Sequence, residues 1–234
     1  MKRVRVLTWA AAGVVGAAIF TGAPAVAEPL PLVPSAVAVN SIEVARSLPV
    51  GTEVTVSGTA TTSSGDFESS FYDKGFGLQS GNSGIYVSDA DDSAVSVGDQ
   101  VEVSGVLADQ EGLLVIRPSV VTRLGSATAV RPERLPLRSI GEGSEGRLVT
   151  VSGIVSAPVV DDLPYGHKIV VSGAGGSTVI FVNTQAGLDP ASILVGRPIT
   201  VTGFSGQYAD TYEVLPRSKE DVRQGFTGSL SLGS

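Results

Sequence analysis

Four copies of one short phrase constrain this chain more than any other feature. Residues 54–58 read VTVSG, 101–105 VEVSG, 149–153 VTVSG and 199–203 ITVTG. Each alternates apolar and polar side chains with period two and ends in glycine, the pattern of a half-buried strand that bends or stops. Gly58 and Gly153 lie 95 positions apart, and Gly105 and Gly203 lie 98 apart. The second and fourth phrases also share a lead-in, Val97-Gly98-Asp99 against Val195-Gly196-Arg197. A strand pair repeated at nearly constant spacing means two tandem copies of one small β domain. Each copy has about 80 to 90 residues, enough to hold a core without disulfides.

The first residues read as an address rather than as part of the fold. Lys2, Arg3 and Arg5 precede an uncharged, mostly apolar run over 6–20, and Ala25-Val26-Ala27 supplies a small-x-small cleavage site. The expectation is a signal peptide over 1–27, cleaved after Ala27, and a secreted or periplasmic protein that does not stay in the membrane. The other reading is an uncleaved anchor, although the run is short and Ala/Gly-rich for a permanent span. Loss of three positive charges with the leader takes the formal net charge from −7 to −10. That balance argues against tight, non-specific duplex binding, which needs a basic surface. The chain has no cysteine, which excludes disulfides, thiol catalysis and thiolate metal sites.

In the first repeat, alternation predicts strands over 53–59, 75–79, 84–88, 100–105 and 113–117, the last stopped by Pro118. In the second it predicts 147–155, 167–172, 177–183, 198–203 and 212–215, stopped by Pro216, with one helical turn within 189–194. The expected fold is all-β: two tandem five-stranded OB-fold-like barrels, over 46–118 and 147–223. An extended Pro-rich segment over 28–45 leads in, a linker spans 119–146, and a flexible tail covers 224–234. The linker carries Arg123, Arg131, Arg134 and Arg138 and is bracketed by Arg117 and Arg147. Together these are six of the 13 basic side chains beyond residue 27.

Three stretches carry a family resemblance: Gly75-Phe76-Gly77-Leu78-Gln79, Gly84-Ile85-Tyr86-Val87 and the run VGDQVEVSG over 97–105. Residues 145–153, EGRLVTVSG, match the opening strand of the second copy. These resemble the OB-type domains that accompany secreted bacterial nucleases of the endonuclease/exonuclease/phosphatase superfamily, over roughly residues 41–222. The metal-binding Glu, paired His and Asp-x-Asn set of that superfamily is not found. The resemblance therefore implies the module and a setting near extracellular nucleic acid, with a separately encoded nuclease as partner, rather than phosphodiesterase activity.

Candidate catalytic groups are sparse. His167 is the only histidine and reads as a rim residue. Asp89, Asp91 and Asp92 lack the glycine and distal Glu of a Ca²⁺ loop, and the glycines at 173, 175 and 176 sit in a hairpin rather than a phosphate loop. No cofactor, metal or catalytic residue is expected. Binding has better candidates, since aromatics cluster near the first-to-second strand loop although only 6% of the chain is aromatic. Tyr72, Lys74 and Tyr86 read as a base-stacking platform beside a cation. The linker arginines Arg123, Arg131, Arg134 and Arg138 read as a phosphate track leading to Tyr208 and Tyr212. Each has a plainer reading. Phe71 and Phe76 fill the barrel, Tyr208 and Tyr212 staple their hairpin, and the arginines bridge to Glu133, Glu142 and Glu145. The expected function is a secreted, non-enzymatic binding module for single-stranded DNA or RNA. The alternative is a protein- or glycan-interaction module.

Overall fold

Two short elements precede the first repeated phrase, β1 (Val39–Asn40) and α1 (Ile42–Arg46). The computed structural model of the protein describes residues 39–69 and 71–225; the expected leader and residues 226–234 of the expected tail lie outside them. Ser41 caps α1, its hydroxyl accepting from the Val44 amide at 3.1 Å, while Ile42 and Ala45 are buried on one face. The extended reading of 28–45 is therefore corrected over α1. A five-residue helix is too short to stand on propensity, and packing holds it.

The first barrel is formed by β2 (Glu53–Ala60), β3 (Phe76–Ser80), β4 (Ser83–Val87), β5 (Asp99–Gln110) and β6 (Leu113–Ser126). Next come β7 (Glu133–Arg134), β8 (Leu148–Val155), β9 (Val160–Asp162), β10 (Gly166–Gly173), β11 (Gly176–Asn183), β12 (Pro198–Tyr208), β13 (Thr211–Leu215) and β14 (Val222–Gln224). Hydrogen bonding runs β2-β3-β4-β6-β5 and returns from β5 to β2; in the second repeat it runs β8-β10-β11-β13-β12 and returns to β8. In both, the third strand pairs with the fifth in parallel, Tyr86 opposite Val115 and Val179 opposite Glu213. Strand order 1-2-3-5-4 with closure onto strand 1 is the OB-fold, present twice.

The glycines that end the repeated phrases are bends rather than stops, so the fourth strands run further than alternation predicts. A Cβ on Gly105 would fall inside the Arg117 carbonyl, and one on Gly203 inside the Leu215 carbonyl. Only glycine lets strands four and five approach this closely as the barrel curls. Pro118 does not stop β6 either. It sits opposite Gly105 at a register shift, an irregularity of the kind where a strand tolerates proline, and the strand continues to Ser126.

The expected linker is mostly not a linker. Val39 pairs in parallel with Thr55, and Arg134 pairs in parallel with Thr150, both displaced by the same 95 positions as the glycines. A 3-10 turn at Leu137–Ser139 follows β7 as α1 follows β1, and Leu137 is buried in the second core as Ile42 is in the first. Residues 133–140 are thus the second repeat's own lead-in.

Each barrel has an apolar core, around Val56, Leu78 and Val103 in one and Val151, Ile169 and Val201 in the other. A third core lies between them. Phe67, Tyr86, Leu113 and Val115 of the first repeat pack with Phe181, Phe204 and Leu215 of the second. Phe67, Tyr86 and Phe204 form a mutual triad with ring centroids 5.5 to 6.2 Å apart. Polar contacts surround it. The Leu148 amide donates to Gln79 Oε1 at 2.9 Å, the Ala209 amide to the Glu111 carbonyl at 2.7 Å, and Asn183 Nδ2 to the Ser69 carbonyl at 3.3 Å. Arg46 of α1 donates to Glu142 Oε1 at 2.6 Å and to Glu145 Oε1 at 3.2 Å, and the Leu114 amide reaches the same Oε1 at 3.2 Å. Gly84 and Gly146 meet backbone to backbone, with no room for a Cβ on either.

Two outcomes follow from this shared core. Phe204→Ala is expected to lower stability by about 3–5 kcal/mol and to lower the midpoint of one cooperative urea transition covering both barrels. Two separate transitions in the unaltered protein would contradict the fusion. Burial also raises the Glu145 carboxyl above its ordinary 4.5, against the pull of Arg46. The folded state therefore holds this proton more tightly than the unfolded chain does. Its contribution to stability is complete below pH 4.5 and is lost as pH rises through the raised value. Glu145→Gln is expected to flatten that decline in a series of urea midpoints taken upward from pH 4.5; an unchanged profile would contradict it.

Candidate functional site

The ligand surface of an OB barrel is the outward face of its second and third strands, between the first-to-second and fourth-to-fifth strand loops. In the first barrel that face is β3–β4. Phe76, Leu78, Ile85 and Val87 point into the core, leaving Gly77, Gln79, Gly84 and Tyr86 outward. All four are covered by the second barrel. Phe204 lies against Gly77 and Tyr86, Leu148 bonds Gln79, and Gly146 abuts Gly84. The first ligand face is sealed by its neighbour.

Counted back from the two hairpin turns, those four positions correspond to Val170, Ser172, Ser177 and Val179 on β10–β11. None of these is fully buried, so the second barrel's face stays open. At one end of it lies a cavity of about 390 Å³ lined by Phe71, Tyr72, Asp162, Tyr165, Lys168, Phe181, Tyr208 and Glu213. Local sequence explains each placement. Lys168 and Phe181 are cross-strand partners on the outward side of β10–β11, since Ile169, Ile180 and Val182 take the inward side. Tyr165 belongs to the loop before β10, and Tyr208 ends β12. Phe71 and Tyr72 come from the other barrel, in its loop between β2 and β3.

The rings meet in pairs across the barrel boundary: Tyr72 with Tyr165 at 4.6 Å and Phe71 with Tyr208 at 5.1 Å between centroids. Tyr72, Tyr165 and Tyr208 are 44%, 46% and 47% exposed and form the rim, whereas Phe181 and Glu213 are 4% and 2% exposed and form the floor. Tyr72 holds φ at 60°, a left-handed conformation that costs a non-glycine residue on the order of 1 kcal/mol or more. Burial, then Tyr165, Glu68 and Asp162, push its phenol above the ordinary value, so the ring stays neutral at pH 7. Lys168 pairs with Asp162 at 2.7 Å and stands 5.8 Å from the centroid of Phe181. This site offers stacking surface, phenol hydroxyls and carboxylates; its lysine is already paired.

The sequence-expected residues divide accordingly. Tyr72 and Tyr208 are brought together in the cavity. Lys74 is exposed but pairs with Glu68 at 3.4 Å, outside the lining. Tyr86 is corrected: it is 0% exposed in the third core, its hydroxyl donating to the Asp73 carbonyl at 2.8 Å, and no base can stack on it. Tyr212 is half-buried, its hydroxyl 3.2 Å from Glu142 Oε2. Arg123 is engaged with Asp99 at 2.9 Å; the Ser96 amide, with Arg123 and Ser126, holds that carboxyl below its ordinary value. Arg131, Arg134 and Arg138 are exposed and make no ion pair among the described residues. The acids expected to bridge them are taken by others, Glu142 and Glu145 by Arg46 and Glu133 by Arg147. His167 Nδ1 lies 2.9 Å from Asp161 Oδ1 on the rim of β10. Among the described residues, no group of three or more His, Asp or Glu is placed to hold a metal ion, and no helix is long and apolar enough to cross a membrane. Sequence reasoning missed Tyr165, Lys168, Phe181 and Glu213. The usable signal was positional, because Tyr165 occupies the same loop of its repeat as Tyr72 does.

Fold and site define a tandem OB-fold protein with one sealed ligand face and one open one. No protein-family profile matches the sequence, and no curated protein matches it. Among solved structures the chain is similar to a murine DNA-binding protein bound with double-stranded DNA, at 12% identity and TM-score 0.40, over 76% of this chain and 99% of that one. It is similar to the single-stranded DNA binding protein from Thermus aquaticus at 12% identity and TM-score 0.28, over 79% and 98%. It is also similar to the hypothetical protein ygiW from E. coli at 21% identity and TM-score 0.30, over 37% and 90%. The OB assignment itself rests on the strand order, register and closure of the two sheets.

Proposed function

We propose that this protein binds single-stranded nucleic acid across the open face of its second barrel, with bases stacked in the aromatic cavity. One observation carries the reading: aromatic side chains from both barrels converge on the outer face of β10–β11, where an OB barrel receives its ligand. Charge is arranged to match. Lys168 is neutralised by Asp162, so the cavity suits bases rather than phosphates. Arg131, Arg134 and Arg138, which make no ion pair among the described residues, lie elsewhere. Arg138 packs beside Gly175, at the turn joining β10 and β11. From Lys168 to that turn is about 17 Å of strand, room for a short single strand running from stacked bases toward a cation. A local track of this kind works within an acidic protein, because the nearby field governs the contact. The function is binding without catalysis. The leader-like segment over 1–27 supports an exported protein, and the family resemblance supports a partner nuclease acting on the same strand. A second reading, a glycan, is favoured by Asp162 and Glu213 lining the same aromatic cavity.

Fluorescence anisotropy with a labelled single-stranded oligonucleotide decides between them. Saturable binding in the low micromolar range that weakens with salt is expected. Tyr165→Ala or Tyr208→Ala should each cost about 1–3 kcal/mol, and Arg134→Ala with Arg138→Ala should flatten the salt dependence by roughly one to two contacts. Absence of binding at low salt overturns the nucleic-acid reading. Salt-insensitive glycan binding lost in the same tyrosine variants would establish the second.

A further inference from the structure

The repeated phrases put hydroxyls on the outside of the second barrel. Val149, Val151, Ile199 and Val201 face its core, so alternation leaves Thr150, Ser152, Thr200 and Thr202 outward on β8 and β12. These four pair across the strands, Thr150 Oγ1 with Thr202 Oγ1 at 2.8 Å and Ser152 Oγ with Thr200 Oγ1 at 2.9 Å. Two hydroxyls in mutual contact use one proton between them, and the second proton of each pair is left to donate outward.

An arginine stands at either edge of this face. Arg134 of β7 is opposite Thr150, and Arg223 of β14 is opposite Thr200 while its neighbour Val222 packs on the core. Both are exposed and make no ion pair among the described residues. The strands β7, β8, β12 and β14 are successive neighbours, which sets the two arginines about 14 Å apart across the sheet. The first barrel lacks the arrangement. Its hydroxyl pair, Thr55 with Ser104 at 2.8 Å, is flanked by Val39 in place of Arg134, while Glu102 replaces Thr200 and Thr122 replaces Arg223. The cations flank this face only on the barrel whose ligand face is open. The two faces are also contiguous. Along one edge of β8, β10 pairs at Val155 and β7 at Thr150, and Leu137 fills the step between them against Gly153 and Gly173. Arg138, beside the β10–β11 turn, leads from one face to the other.

We infer that the outward face of β7–β8–β12–β14 is a second contact for the nucleic-acid strand, a surface on which Arg134 and Arg223 hold phosphodiester groups and the hydroxyls between them donate. This rests on the nucleic-acid reading of the cavity and extends it: bases stack at one end, and the backbone beyond them crosses a face that carries no sequence information.

The test is a length series. Labelled oligo(dC) of about 4 to about 16 nucleotides, the span of OB-fold site sizes, is titrated against the full chain over a range of salt. The shortest strands that bind are expected to bind the unaltered protein and Arg223→Ala equally. The longest are expected to bind the unaltered protein more tightly, and Arg223→Ala to lose that gain with a salt slope shallower by about 0.7. A length gain that survives Arg223→Ala, or no length gain at all, overturns the second contact and leaves the cavity reading intact. Equal loss for short and long strands also overturns it. Arginine on an edge strand can instead deter pairing between copies; self-association of Arg223→Ala in sedimentation, with long-strand affinity unchanged, assigns it that role and overturns the contact. Failure of every length to bind overturns both readings.

Discussion

The aromatic contact between Tyr86 and Phe204 is the interaction on which the rest of this architecture depends. Two OB barrels joined in sequence could move independently. Here the outward face of β3–β4 is buried under the second barrel, and Phe67, Tyr86 and Phe204 pack there with centroids within 6.2 Å of one another. Buried aromatic clusters of this kind contribute both area and directional edge contacts. Glycine makes the approach possible. Gly84 and Gly146 touch backbone to backbone, and Gly77 leaves space for the Phe204 ring. With that seam fixed, the loop carrying Phe71 and Tyr72 is delivered to the second barrel's open face.

The two repeats have thus diverged in role while keeping one topology. The first has given up its ligand face as a dock, and the second keeps its own. The change is visible at matched positions: Gly77, Gln79, Gly84 and Tyr86 in the dock against Val170, Ser172, Ser177 and Val179 on the open face. The docking partners show the complementary asymmetry. Leu148 and Phe204 of the second barrel correspond in register to Glu53 and Val106 of the first. Phe204 supplies the inter-barrel cluster with a ring, whereas the first barrel has the smaller Val106 at that register. A site built from both barrels also needs both to be folded together, which ties stability to binding.

Much of the fold was legible because period-two alternation and the glycine spacing are direct consequences of barrel geometry. The lead-in of the second repeat was not. Val39 and Glu43 are matched by Arg134 and Arg138, so position is repeated but residue type is not, and only the parallel pairing to β8 exposes it. The site was half legible. Alternation correctly puts Tyr86 on the outside of its own barrel, yet cannot say that another barrel covers that side. Tyr72 and Tyr208 line the cavity because their loops are the ones that flank an OB barrel's open face. Phe181 and Glu213 were hidden because each looks, in sequence, like an ordinary strand residue, and the cavity they floor draws on both domains.

The central claim is that one OB face is sealed and the other receives the ligand. Chemical-shift mapping of the isotopically labelled protein, titrated with a short oligo(dC), tests it most directly. The account predicts perturbations concentrated at Tyr72, Tyr165, Lys168, Phe181 and Tyr208 and along β10–β11, with Gly77, Gln79 and Gly84 unmoved. Perturbations centred on Gly77, Gln79 and Gly84, with β10–β11 silent, would contradict it.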